Sequence, residues 1–153
     1  MTLRANYFGL AAKGMQILLD QENYLREQFR ASETVTVKIW ELVKLRVSQI
    51  NQCAFCIDMH SKDAMAAGES VERILGLNAW RDMPLYTDSE IAALEWAEHL
   101  TAGKTVDAEF YDKVVSAFGE KTLVDLTIAI NAINSWNRIV KVFKPEVGSY
   151  KPQ

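Results

Sequence analysis

Apolar residues recur every three or four positions along most of the chain, and no alternating run is long enough to specify a strand. The pattern therefore predicts an all-α fold. A first helix is expected over about Tyr7 to Phe29 and a second over about Val35 to Ile50. The third opens near Cys53 and stops before Gly68, a residue suited to the position that follows a helix C-terminus. Ser70 can cap a short fourth helix through Leu75, and a loop carrying Met83-Pro84-Leu85-Tyr86 follows. Thr87 and Glu90 then have capping-box spacing in front of Ile91, Leu94 and Leu100, and this fifth helix ends at Gly103. A sixth spans about Asp107 to Phe118 with Gly119 behind it. The last and most apolar runs from about Lys121 to Phe143, before Pro145. These segments predict a multihelical bundle of six to seven helices whose core includes Trp40, Trp80, Trp96 and Trp136.

With 153 residues and neither repeat nor linker, the chain reads as one domain over residues 1–153. A net charge of −3 provides no broad basic field, so no nucleic-acid partner is expected. The amino terminus lacks a long apolar stretch and no later run approaches a membrane span, so a cytoplasmic protein without membrane contact is expected. Thiols are kept reduced in that compartment, so a disulfide there is catalytic or redox-sensing more often than structural. This bears directly on the two cysteines, which stand three residues apart.

In Gln52-Cys53-Ala54-Phe55-Cys56-Ile57-Asp58-Met59-His60, the cysteines and the histidine occupy relative helical positions zero, three and seven. All three share one face, with Ala64 and Ala67 continuing the stripe, while Asp58, Lys62 and Met65 point away. Asp58 and Lys62 are spaced for a surface ion pair. Cys53 and Cys56 fall in the first turn, where free amides and the positive end of the helix dipole stabilise a thiolate. His60 lies four residues beyond Cys56 and can accept the thiol proton or hold the thiolate as imidazolium. Cys-x-x-Cys across one turn also closes a disulfide with little backbone movement.

The preceding helix supplies Glu41, set among Val37, Leu45, Ile39, Val43 and Val47 on a helix that is apolar nearly all round. Burial there is expected to raise its pKa toward neutrality. If the two helices form a hairpin turning near Asn51, Glu41 comes level with His60 rather than with either sulfur. The expected relay runs from Glu41 to His60 to Cys56, with Cys53 as redox partner.

The pattern Glu-x11-Cys-x-x-Cys-x3-His resembles the AhpD-like alkylhydroperoxidases of the carboxymuconolactone decarboxylase superfamily. The runs Arg46-Val47-Ser48-Gln49-Ile50-Asn51, Ala93-Leu94-Glu95-Trp96-Ala97-Glu98 and Asn134-Ser135-Trp136-Asn137-Arg138 extend the likeness over most of the chain. The resemblance implies a helical homo-oligomer, trimer or hexamer, with Cys56 attacking peroxide, Cys53 resolving, and Glu41 and His60 relaying the proton. It implies as partners a peroxide substrate, hydrogen peroxide or an organic hydroperoxide, and an external thiol or lipoyl reductant. No cofactor and no metal enter that chemistry. Some family members carry a histidine just before the second cysteine, where this chain has Phe55, so His60 is expected to serve the relay alone.

Other readings of the same residues stand beside this one. Cys53, Cys56 and His60 are three plausible zinc ligands, with Glu41 or His99 as a fourth, which would make a zinc-binding or redox-sensing module. A dithiol oxidoreductase or a decarboxylase-like lyase would be neighbouring chemistry. Glu41 has helical spacing to Lys38 and Lys44 and could be a surface ion pair. Thr127, Asn131, Asn134 and Arg138 form a polar stripe on the last helix that suits a wet face, a subunit interface or support for the site. Trp80 and Tyr86 suit a substrate entrance or loop anchors.

Overall fold

The computed structural model describes residues 3–152. Eight α-helices follow one another: α1 (Tyr7–Leu10), α2 (Ala12–Ala31), α3 (Val37–Ile50), α4 (Ala54–Ala66), α5 (Val71–Gly76), α6 (Asp88–Thr101), α7 (Ala108–Phe118) and α8 (Glu120–Phe143). A short 3-10 segment, Leu77–Asp82, follows α5, and no strand occurs among the described residues. The fold is all-α as the pattern predicts, with one helix beyond the expected range. The extra element arises because the first helical stretch breaks at Ala11, whose φ of −127° and ψ of 44° leave the helical region.

Most helix ends follow from local chemistry. The side chains of Thr36, Ser70, Thr87 and Asp107 each accept a backbone N–H from the first turn of α3, α5, α6 and α7, and Thr87 with Glu90 completes a capping box. Helix α8 ends at Lys144 in the left-handed conformation, immediately before Pro145. The 3-10 segment was not legible in the sequence, because a single tight turn carries no long periodicity. It follows Gly76, where a Cβ would collide with the Met83 sulfur.

Helix α3 is the central element and packs against α4, α6 and α8. On one side Trp40, Val43 and Val47 join Phe29, Trp96, Ile130 and Ile133 in the main core. On the other, Leu42 and Leu45 meet Leu77, Trp80, Tyr86 and Leu94. Trp80 and Trp96 satisfy their indole N–H groups on Glu98 and Thr127. Tyr86 is buried and donates to the Arg73 carbonyl oxygen. Trp80 and Tyr86 are therefore anchors of the loop. Trp136 is only half-buried and donates to Glu22.

One buried ionic node fastens α5 to α6. Arg73 reaches Glu69 at 2.7 Å and Glu90 at 2.5 Å, and both carboxylates are almost wholly buried. Removing the guanidinium would strand two buried charges. Arg73→Met is therefore expected to cost roughly 3–5 kcal/mol in denaturant unfolding. Lys113→Met, at the largely exposed pair with Glu95, should cost no more than about 1 kcal/mol.

Candidate active site

The site begins at the turn between α3 and α4. Gln52 takes a positive φ of 53°, an uncommon conformation for a residue with a side chain, and delivers Cys53 as the N-cap of α4. Helix α8 braces this turn from behind. Asn51 donates to the side-chain oxygens of Asn134 and Asn137, both at 2.9 Å, and the fully buried Asn137 donates to Ser48 at 3.0 Å. The Ser48 carbonyl in turn accepts the Cys53 N–H at 3.0 Å. Two members of the predicted polar stripe, Thr127 and Asn134, thus bond across the bundle, and Asn134 supports the cysteine turn.

Cys53 and Cys56 are joined in a disulfide, with their α-carbons 5.3 Å apart. Both are buried, packed with Val140 and Phe55. No side chain caps α4, so its first-turn amides are not occupied by a capping oxygen. On the same face, one turn further on, His60 is buried and its Nδ1 lies 3.2 Å from Glu41 Oε2. The other Glu41 oxygen lies 2.6 Å from Lys44 Nζ, which is itself buried and sits 3.7 Å from the centre of the Trp40 ring.

This corrects the expectation for Glu41. Burial alone pushes its carboxyl up, but the His60 hydrogen bond and the Lys44 ammonium outweigh burial and bring the pKa down to about 2. Glu41 is thus a fixed carboxylate near neutrality and not a group poised to titrate there. An ionised carboxylate can only accept, so His60 Nδ1 carries the proton, and in the neutral ring Nε2 holds the lone pair. The ion pair with Lys44, set out above as a surface alternative, exists together with the His60 contact and is buried.

A cavity of about 620 Å³ opens beside these groups. Cys56, His60, Glu41 and Lys44 line it, whereas Cys53 does not. Its apolar wall includes Phe8, Phe55, Met59 and Trp136, and Arg26 stands in its lining. The four residues singled out in the sequence therefore come together in space, three of them at the cavity. Asp58 and Lys62 pair at 2.8 Å on the outer face of α4. His99 is not brought in: it lines a separate cleft and its Nε2 bonds the Thr105 carbonyl.

Sequence reasoning missed Asp63, Tyr150 and the structural role of Lys44. A lysine three residues after Glu41 on an otherwise apolar helix was the available signal for Lys44. Nothing local marks Tyr150, which reaches the site only through the fold. As for a metal, donor atoms of Glu41, His60 and Asp63 lie within 4.8 Å of one another. Glu41 is engaged by Lys44 and His60, and Asp63 by the Tyr150 hydroxyl, so this donor set does not fit a cation without displacing an ammonium. The sulfurs of Cys53 and Cys56, bonded to each other, are not thiolate ligands here.

Comparison with known proteins places this geometry in a family. The model of the carboxymuconolactone decarboxylase family matches residues 22–99. The uncharacterized protein YdfG of Bacillus subtilis is 44% identical over 141 residues, 91% of this chain and 92% of its own. A crystal structure from Agrobacterium tumefaciens, of a protein of unknown function provisionally named as the antioxidant defence protein AhpD, is 32% identical. It superposes with a TM-score of 0.87 over 97% of this chain and 100% of its own. An uncharacterized peroxidase-related protein from Silicibacter sp. TM1040 shares the fold, at a TM-score of 0.78 and 18% identity over 90% of this chain and 72% of its own. The family match spans α2 to α6, including the disulfide and the Glu41–His60 pair, and the chain is an AhpD-like member of the carboxymuconolactone decarboxylase family.

Proposed function

We propose that the protein is a thiol-dependent peroxidase that reduces hydrogen peroxide or organic hydroperoxides at Cys56. The observation that carries this reading is the Cys53–Cys56 disulfide, of which only Cys56 lines the cavity shared with His60 and Glu41. In the reduced enzyme, His60 Nε2 takes the Cys56 thiol proton, and the fixed Glu41 carboxylate stabilises the resulting imidazolium through Nδ1. The Cys56 thiolate attacks the terminal oxygen of the hydroperoxide. A sulfur–oxygen bond forms, the oxygen–oxygen bond breaks, and the leaving alkoxide takes the proton from His60 to depart as an alcohol. Cys53 then attacks the Cys56 sulfur, releasing water and forming the disulfide.

The cycle closes when two equivalents of a small thiol, or one lipoyl dithiol, reduce the disulfide through a mixed disulfide and are themselves oxidised to a disulfide. Because both sulfurs are buried, this reductant must be slender enough to enter the cavity. Phe55 lines the cavity without a titratable group, which leaves His60 as the proton carrier. A cytoplasmic site of action, where thiols are kept reduced, suits a cycle that draws on an external thiol; no helix among the described residues is long and apolar enough to cross a membrane. Assembly into a trimer or hexamer would give a use to the exposed Leu10, Ile17 and Leu75.

The reading is tested by turnover of hydrogen peroxide and cumene hydroperoxide against dithiothreitol, dihydrolipoamide and glutathione. Cys53→Ser should complete the first oxidation and then stall with Cys56 as sulfenic acid or a higher oxide, detectable by intact mass. Sustained wild-type turnover by Cys53→Ser would remove Cys53 from the cycle.

A further inference from the structure

After Pro145 the chain doubles back across α4. Four hydrogen bonds hold residues 145–152 to that helix, and each uses a side chain of α4. Lys62 Nζ donates to the carbonyls of Gly148 and Tyr150, at 3.3 and 3.1 Å, and Asp58 accepts the Gly148 N–H at 3.2 Å. Asp63 accepts the Tyr150 hydroxyl at 2.7 Å. No backbone-to-backbone hydrogen bond ties this segment to the rest of the described chain. Asp58 and Lys62 are also partly open to solvent. Such a segment sits at the low-stability end of a fold and opens without unfolding the bundle.

The segment does more than cover a surface. Tyr150 and Pro152 are walls of the cavity that holds Cys56 and His60. Asp63, which latches Tyr150, is itself beside Glu41 and His60. Burial and the Asp63 carboxylate push the Tyr150 phenol up to about 12, so it stays a neutral donor and the latch persists through ordinary pH.

We infer that Tyr150 is a specificity-determining residue: latched on Asp63, it makes residues 145–152 a displaceable wall that admits small reactants to Cys56 and holds back bulky ones. The gate stands on cavity geometry alone. Its consequence for substrates rests on the peroxidase reading, under which bulky apolar hydroperoxides gain from opening it and hydrogen peroxide does not.

The gate is measured without any peroxidase assay. In full-length Cys53→Ser, Cys56 is the single thiol, and its reaction rate is followed with methyl methanethiosulfonate and with a bulky aromatic methanethiosulfonate. Adding Tyr150→Ala, which removes the wall, should speed the bulky reagent about tenfold or more while the methyl reagent changes less than about twofold. Tyr150→Phe keeps the packing and removes only the latch, so it should give the same selectivity at smaller size. It decides the matter if circular dichroism shows that Tyr150→Ala has loosened the fold. Equal acceleration of both reagents in Tyr150→Phe, or of neither, would overturn the gate. Size-selective labelling of these variants together with no peroxide turnover by the wild-type protein would retain the gate and overturn the peroxidase reading.

Discussion

Cys56→Ser is expected to lower peroxide consumption by on the order of a thousandfold or more, the scale set by loss of a catalytic nucleophile. No neighbour can substitute. Cys53 is buried and lies outside the cavity lining, behind the turn that Ser48, Asn51 and Asn137 hold in place. A serine hydroxyl at position 56 cannot be ionised by an imidazole to a comparable extent, because its pKa lies far above that of a thiol. The loss should not come from unfolding. The disulfide closes a very short loop, which by chain entropy contributes only roughly 2 kcal/mol. Comparison with reduced wild type removes even that contribution. A reduced variant with wild-type thermal stability and no turnover is therefore the expected pair of results, and wild-type turnover would reassign the nucleophile.

Glu41→Gln should act on stability and chemistry together. It leaves the buried Lys44 ammonium without its counter-charge, at an expected cost of about 3–5 kcal/mol near neutral pH. The pH dependence of that cost has a definite sign. The Glu41 carboxyl sits at about 2 in the folded protein against an ordinary 4.5, so its contribution is fully present above about 4.5 and is lost as pH falls toward 2. Wild type and variant should accordingly converge in stability as the solution is acidified through that window. A constant gap would mean that Glu41 is not depressed in the fold. Chemically, the imidazolium of His60 loses the carboxylate that stabilises it, so less Cys56 thiolate forms at a given pH. The apparent pKa for Cys56 alkylation should rise by about one unit or more. An unchanged profile would remove Glu41 from the relay while leaving its structural role intact.

The opposite outcomes for Glu41 and Tyr150 show what one-dimensional reading can reach. Glu41, Cys53, Cys56 and His60 all lie within two consecutive helices whose phase and spacing can be counted, and a hairpin turn aligns them. Helix ends were legible for a similar reason: capping at Thr87 and Ser70 is a local event between residues three apart. The Glu41 charge state was not legible, because burial and an adjacent ammonium push in opposite directions and only distances decide between them. Lys44 could have been placed by its phase, but its burial depends on Trp40 and on how α3 sits in the bundle. Tyr150 stands 87 residues beyond Asp63 and is joined to it by a fold-dependent contact with no periodic signal. The break at Ala11 escaped for a smaller reason, since Leu10, Ala11 and Ala12 all favour a continuous helix.

The central claim is that Cys56 reduces peroxide and Cys53 then closes the disulfide. It is tested most directly by a single turnover: fully reduced protein is mixed with one equivalent of cumene hydroperoxide, and free thiols, intact mass and the alcohol product are followed in time. The expected result is one alcohol per chain, both thiols lost together and a mass consistent with an intramolecular disulfide. The rate should lie well above that of a free cysteine under the same conditions. Thiols that oxidise no faster than free cysteine, or that vanish without alcohol being formed, would contradict the account.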